Sequence, residues 1–420
     1  MRVLVVALVS AAVVAGCADP SAVPIAADPS SPSPSSPSPS SSPPSVPPPT
    51  TAAASSDAPG PTVSTSTAAL PDPSAPTGWG PTVGELAKAR RIVSSMSLRA
   101  KARQVLMPTY RGRRDLARHQ YGGVYLPSQL LAGGAGHARR VVRGAHRVAD
   151  RPGGIPLLIA LDQEGGVVQH LRRGVARVPS ARSVGATGST RYARRVARRN
   201  GRQLRDLRFT MVLAPVADVD TAGNPIVGSR AYSRRHRKAA EMVTATVRGY
   251  LDAGIVPVVK HFPGHGSVVG DSHERLPVQH KSVRRLMRTD LRPFRAAIDA
   301  GAPAIMTGHI AVRSVAPGVP ASLSRKVVMG LLRDRLGFDG LVVTDAHTMQ
   351  PVRGPYGSGR AAVLAIAAGN DLVLSSPDVD RAHGALVRAV RSGRLSRDRL
   401  AAAATRVIAV RLMQERIGRR

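Results

Sequence analysis

The chain of 420 residues has one cysteine, Cys17, so no disulfide can form within it and the fold must rest on its hydrophobic core. Aromatic residues make up only 3%, too few for a surface that stacks nucleotide bases. Lysine is scarce as well: six of the 60 basic residues are Lys and the rest are Arg. Acids number 26, which leaves a net charge of +34. The N-terminal apolar run is too short to cross a bilayer as a permanent helix.

That run, "RVLVVALVSAAVVAGC" (2–17), starts with a positive charge, continues through a short apolar core and ends in small residues, as an export signal does. Cys17 directly follows "VAG", which resembles the bacterial lipobox, whose cysteine becomes the lipidated first residue. The other reading is a buried cysteine. Residues 18–81 are almost all Ser, Pro, Ala and Thr, a composition that cannot bury enough apolar surface to offset the entropy of ordering it. At about 3.1 Å per residue of polyproline geometry, this stretch would reach on the order of 200 Å as a tether. The expected organisation is therefore a signal over 1–17, a disordered linker over 18–81 and a folded domain over 82–420. The expected location is the outer face of the cytoplasmic membrane, held by lipid at Cys17, with the domain extending into the cell wall.

Charge is unevenly distributed. No Lys or Arg lies between Arg2 and Lys88, so 59 basic residues fall after Thr82. Asp19, Asp28, Asp57 and Asp72 lie in the linker, which leaves 22 acids and 59 − 22 = +37 for the domain. Such a charge implies either attraction to anionic envelope polymers or a bias towards arginine codons. An exported protein has little access to nucleic acid, so no nucleic-acid partner is expected. A monomer is.

Within the domain, eight apolar runs alternate with Arg-rich helical patterns: 102–110, 122–127, 155–166, 209–219, 255–262, 302–310, 340–349 and 370–377. Continuous rather than alternating hydrophobicity marks strands buried on both faces, as in parallel sheets. Helical patterns over 233–254 and 282–301 each end in glycine. Eight such repeats fit a single-domain (β/α)8 TIM barrel. A doubly wound sheet is the competing architecture, but no G-x-G-x-x-G follows the first strand. In a barrel, chemistry collects at the C-terminal strand ends, which here carry Asp162, Gln163 and Glu164, then Asp218, Lys260, His261, His309, Asp345 and His347.

The densest stretch is "VVKHFPGHGSVVGDSHERLP" (258–277). Its histidines do not share a helical face, because Phe262-Pro263-Gly264 interrupts the H-x3-H spacing, and this argues against a metal. "GHGSVVG" lacks the Lys-Ser/Thr pair of a phosphate loop. Glycoside hydrolysis needs a proton donor and, in retaining enzymes, a carboxylate nucleophile. Asp345, after the apolar "LVV", is the best-placed nucleophile, the alternative being a helix N-cap. Asp271-Ser272-His273 offers an imidazole beside a carboxylate that can orient its tautomer, the alternative being a solvated loop histidine.

"KHFPGHGSVVGDSH" resembles, across fourteen positions, the signature of bacterial β-N-acetylglucosaminidases of glycoside hydrolase family 3. "ALDQEGG" (160–166), "LAPVADV" (213–219), "NPIVGSRAYS" (224–233), "PASLS" (320–324) and "LGFDGLVVTDA" (336–346) are similar to the same family in the same order. The resemblance implies a TIM barrel that removes terminal N-acetylglucosamine from peptidoglycan fragments with retention, without a cofactor. It implies Asp345 as nucleophile, His273 as acid/base and Asp271 as its orienting partner. Asp162, Arg230, Lys260 and His261 would hold the sugar. His265 would shape the loop, with Gly264 and Gly266 supplying backbone angles other residues resist. A neutral imidazole does not repel anionic acceptors, so phosphorolysis is a variant of the same mechanism; a non-catalytic wall-binding protein is the reading from another class. One departure stands out. Val167 and His170 occupy places where the family carries arginines, the second of which contacts the sugar, and His170, Arg172 or Arg173 would have to substitute.

Overall fold

The computed structural model describes residues 72–149 and 155–419. The signal, Cys17 and most of the proposed linker lie outside the described residues. Each apolar run yields a strand: β1 Leu106–Met107, β2 Gly123–Tyr125, β3 Leu158–Leu161 and β4 Met211–Val212, then β5 Val256–Phe262, β6 Ala304–Thr307, β7 Leu341–Thr344 and β8 Val373–Leu374. The strands are shorter than the runs, because the residues flanking them are apolar but lie in connections.

β2 to β7 form one continuous parallel sheet in chain order. β1 pairs in parallel with β8, with Leu106 opposite Val373. Thr109 bridges to Tyr125 beside β2, and Leu372 bridges to Val343 of β7. The result is an α/β domain with a curled parallel sheet. Parallel neighbours need crossovers, and helices supply them: Gly134–Ala149 before β3, Thr190–Asp206 before β4, and His236–Asp252 before β5. Strand side chains such as Leu158, Met211, Val258, Met306 and Val343 are buried in one core cluster.

Two expectations change. The helix expected over 282–301 is two, Val283–Arg288 and Arg292–Asp299. Pro293 suits a first turn but not a helix interior, and Asp290 between the two helices is buried, accepting from Lys281 Nζ at 2.6 Å and from the Thr289 hydroxyl at 2.7 Å. The end of the linker also moves, since residues 72–81 are folded onto the domain. Trp79 is 6% exposed in the core, and the Gly80 carbonyl accepts from Arg416 Nη2 at 3.0 Å. The only tryptophan of the chain anchors a segment whose composition looks like tether.

The face opposite the C-terminal strand ends is held by one carboxylate. Asp371, wholly buried just before β8, takes Arg333 Nη2 at 2.7 Å on Oδ2 and Arg399 Nη2 at 2.8 Å on Oδ1. The Val342 N–H donates to Oδ2 at 3.0 Å, which ties β7 to the start of β8. Burial pushes the Asp371 carboxyl up, but the charges of Arg333, Arg399 and Arg406 outweigh it and hold it below its ordinary value. Its stabilisation is thus fully present above the ordinary Asp value of about 3.9 and is lost as pH falls through the lower folded value. Asp371→Asn leaves buried guanidinium charge without its counter-ion and should cost about 3 kcal/mol, read as a lower urea midpoint at pH 7. The gap between variant and wild type should shrink as pH falls below about 4.

Candidate active site

Three strand ends and one loop build the site. Beyond β3, Asp162 leads into a hairpin pairing Gln163–Gly165 with Val168–Gln169, and Glu164 projects from it. The end of β5 supplies Lys260 and His261. Lys260, 3% exposed, places its ammonium on Asp162 Oδ1 and, at 2.7 Å, on Glu164 Oε1. Arg230 grips Glu164 with both arms, Nε to Oε2 at 2.7 Å and Nη2 to Oε1 at 2.8 Å. The Tyr125 hydroxyl donates to Asp162 Oδ2 at 2.8 Å. Burial pushes Glu164 up and Lys260 down, yet the opposite charges win in both cases, so Glu164 lies below and Lys260 above its ordinary value.

A second cluster shapes the loop after β5. Asp218 is buried and takes three donors: His261 Nδ1 at 2.7 Å, the His261 N–H at 3.3 Å and the His265 N–H at 2.6 Å. A carboxylate at Nδ1 puts the proton on that nitrogen and turns Nε2 of His261 the other way. The Asn224 amide reaches Val268 O at 2.8 Å and His265 Nδ1 at 3.2 Å, which ties His265 into the hydrogen bonds of the loop. Gly264 has φ +114°, a conformation that disfavours any side chain. Gly266 is needed for a different reason from the one expected. Its φ is not positive, but a Cβ there would sit 2.4 Å from the Val219 carbonyl.

Asp345 follows β7. Its backbone N–H donates to Thr307 O at 2.8 Å, and its Oδ1 accepts the Ala346 N–H at 2.8 Å. Burial raises the Asp345 carboxyl, but His261, His309, the Ala346 N–H and Lys260 together bring it below the ordinary value. His273 is unlike this. Its side chain is 62% exposed, and its Nδ1 lies 2.6 Å from Asp271 Oδ1, which also accepts the His273 N–H at 2.8 Å. The His273 carbonyl accepts the Gln350 N–H at 3.0 Å, anchoring the loop end near β7.

A cavity of about 470 Å³ gathers Asp162, His170, Arg230, Lys260, His261, His273 and Asp345 on one wall or another. Asp271 stands behind His273, outside the lining. Not every polar strand-end residue reaches the cavity. Gln163 turns back to bond Leu171, Asp218 serves His261 from behind, and His309 spans Ser322 Oγ and Ala346 O at 2.8 and 3.0 Å. His347, 1% exposed, has neither ring nitrogen bonded, and burial together with neighbouring His309 drives its pKa down to about 3. His170 presents its ring edge towards Tyr125, centroids 6.1 Å apart, with Nδ1 buried and unbonded. Arg172 and Arg173 instead bond carbonyls of Gln169, Val167 and Ala132 and line an adjoining groove, so neither replaces the family arginine inside the cavity. In the sequence Glu164 and Asp218 stand out only as polar strand-end residues with no assigned role, and Asn224 and Tyr125 are not singled out. The first three lie inside the quoted family stretches; Tyr125 carries no such signal.

A fixed carboxylate and a carboxylate-backed imidazole on one cavity, above a curled parallel sheet, supply the two groups that glycoside hydrolysis needs. The "Glycosyl hydrolase family 3 N terminal domain" matches residues 97–410, and the chain belongs to that family. A β-hexosaminidase of Nitrosomonas eutropha is 36% identical over 234 residues, 54% of this chain and 67% of the relative. The β-hexosaminidase LpqI of Mycobacterium tuberculosis is 32% identical over 319 residues, 72% of this chain and 80% of the relative. The glycoside hydrolase family 3 β-N-acetylglucosaminidase structure from Paenibacillus sp. str. FPU-7 aligns with a TM-score of 0.74 at 37% identity, covering 76% of this chain and 63% of that one. The chain thus spans somewhat under two thirds of that structure's length.

Because Asp218 alone holds the His265 amide, Asp218→Ala should release the loop. Losing a charge-assisted hydrogen bond of about 2 kcal/mol corresponds to roughly thirtyfold faster amide exchange. Exchange mass spectrometry of peptides covering 263–270 should show it, with peptides of β2 and β3 unchanged.

Proposed function

We propose that the protein is a retaining exo-β-N-acetylglucosaminidase that removes terminal N-acetylglucosamine from peptidoglycan fragments through a covalent glycosyl-enzyme intermediate. The observation that carries this reading is the contrast across one cavity between Asp345, tied to backbone by hydrogen bonds and held below its ordinary pKa, and His273, exposed and backed by Asp271. Asp345 would attack the anomeric carbon. His273 Nε2 would give its proton to the departing oxygen, while Asp271 keeps the proton on Nδ1. The neutral imidazole would then take a proton from the water that releases the sugar, in keeping with microscopic reversibility. Asp162 would accept from hydroxyl groups, Lys260 and Arg230 would donate, and His261 Nε2 and His170 would border the ring. The names of the relatives support an N-acetylhexosamine as the sugar released.

The bridges at Thr109 and Leu372 support a closed eight-stranded barrel, which would fix the strand ends relative to one another. For the N-terminal segments, the reading is an export signal, lipidation at Cys17 and a tether holding the domain in the cell wall. The lipobox-like "VAGC" and the Ser/Pro-rich stretch support it.

The purified protein should release p-nitrophenol from its β-N-acetylglucosaminide. Asp345→Ala should abolish this, and His273→Ala should lower it by roughly 10² to 10⁴. A folded wild type that cleaves neither this glycoside nor defined muropeptides would contradict the reading. The pH profile adds a check. The nucleophile must be ionised and Asp345 lies below its ordinary value, so loss of kcat/KM through Asp345 should set in only below about pH 4.

A further inference from the structure

Away from the strand ends, the helices Thr190–Asp206, His236–Asp252 and Arg292–Asp299 pack side by side and leave a groove of about 640 Å³ on the outer surface. Its walls carry Arg191, Arg194, Arg237, Arg248 and Arg292, all exposed, against a single acid, Glu241. Arg194 is neutralised by Asp252, with Nε–Oδ2 at 2.6 Å and Nη2–Oδ1 at 2.9 Å. The other four have no ion-pair partner among the described residues. Residues 237, 241, 244, 245 and 248 share one helix face, so this lining follows helical geometry rather than the bends of a loop.

The charge continues beyond the groove. Arg195, Arg198, Arg199 and Arg202 are exposed along Thr190–Asp206 and none is ion-paired among the described residues. At about 1.5 Å per residue, Arg191 to Arg202 covers roughly 16 Å of helix. Unpaired guanidinium groups crowded this closely repel one another, and a linear polyanion relieves that repulsion while releasing its own counterions. Guanidinium forks match phosphate oxygens two at a time. A polymer with bases would also need aromatic faces to stack on. Tyr192, the aromatic residue of this helix, is half-buried and has Arg195 5.3 Å above its ring.

We propose that this groove and the adjoining arginine stripe form a second, non-catalytic site that binds a polyol-phosphate polymer. The site is independent of the hydrolytic cavity, with which its lining shares no residue. Through it the enzyme would be held on a phosphate-rich matrix while the strand-end cavity stays open.

The test compares three full-length proteins by fluorescence anisotropy with a labelled poly(glycerol phosphate): wild type, the groove variant R191Q/R237Q/R248Q/R292Q, and a control, R140Q/R143Q/R388Q/R391Q, with the same change in net charge. At low salt the groove variant should bind at least about tenfold more weakly, and its slope of log K against log salt should be shallower by about 3, while the control changes little. Hydrolysis of a small chromogenic glycoside should be equal in all three. Equal losses in groove and control variants would overturn the site, as would no binding by wild type. Equally tight, groove-dependent binding of single-stranded DNA or polyglucuronate would overturn the assignment to a polyol phosphate. If the quadruple change lowers the unfolding midpoint, the pair R237Q/R248Q replaces it, with about half the change in slope expected.

Discussion

The site depends on a buried ammonium. Lys260 sits near the end of a fully buried strand between Asp162 and Glu164, and Arg230 completes the group by gripping both oxygens of Glu164. Two carboxylates and two cations sum to zero, so the cluster carries fixed charges without net burial of charge. The attraction offsets a desolvation cost of several kcal/mol per ion only because each group has a partner. Such a cluster presents donors and acceptors at fixed places, which suits recognition of a neutral, hydroxyl-rich ring. It also links three chain segments, the β3 hairpin, the segment carrying Arg230 and the end of β5, so sugar binding and local folding rest on the same contacts.

The two groups that carry the chemistry are placed in opposite environments. Asp345 is bounded by the Ala346 backbone donor and by imidazoles that favour its charge. His273 lies on a glycine-containing loop, open to solvent, and among the described residues it is anchored by Asp271 and the Gln350 amide. A nucleophile benefits from rigidity, whereas an acid that later serves as a base benefits from access to water. The loop that carries His273 is pinned near its start by Asp218 and Asn224.

Much of this was legible in the sequence. Continuous apolar runs gave all eight strands in order because strands buried on both faces need no polar alternation. The break at Thr289-Asp290-Leu291 was hidden, since a buried acid paired with Lys281 is a tertiary matter. Trp79 was equally hidden, a single anchor in a Pro/Ser-rich context. At the site, Asp345, His273 and Lys260 were readable from motif and strand end. Asn224 and Tyr125 act through hydrogen bonds to partners up to 46 residues away in sequence, which no local pattern reveals, and Asp218 was readable as a strand-end residue but not as the partner of His261. Gly266 was read correctly as required, but for its backbone angle rather than for the close approach of Val219 O.

The central claim is that Asp345 forms a covalent bond to the sugar. A fluorinated N-acetylglucosamine analogue with a good leaving group, which slows release more than formation of the intermediate, tests it most directly. Peptide mass spectrometry after brief incubation and an acid quench should find one sugar residue added on the peptide containing Asp345, and none in Asp345→Ala. An adduct on another carboxylate, or turnover of the analogue with no adduct and inversion at the anomeric carbon, would contradict the account.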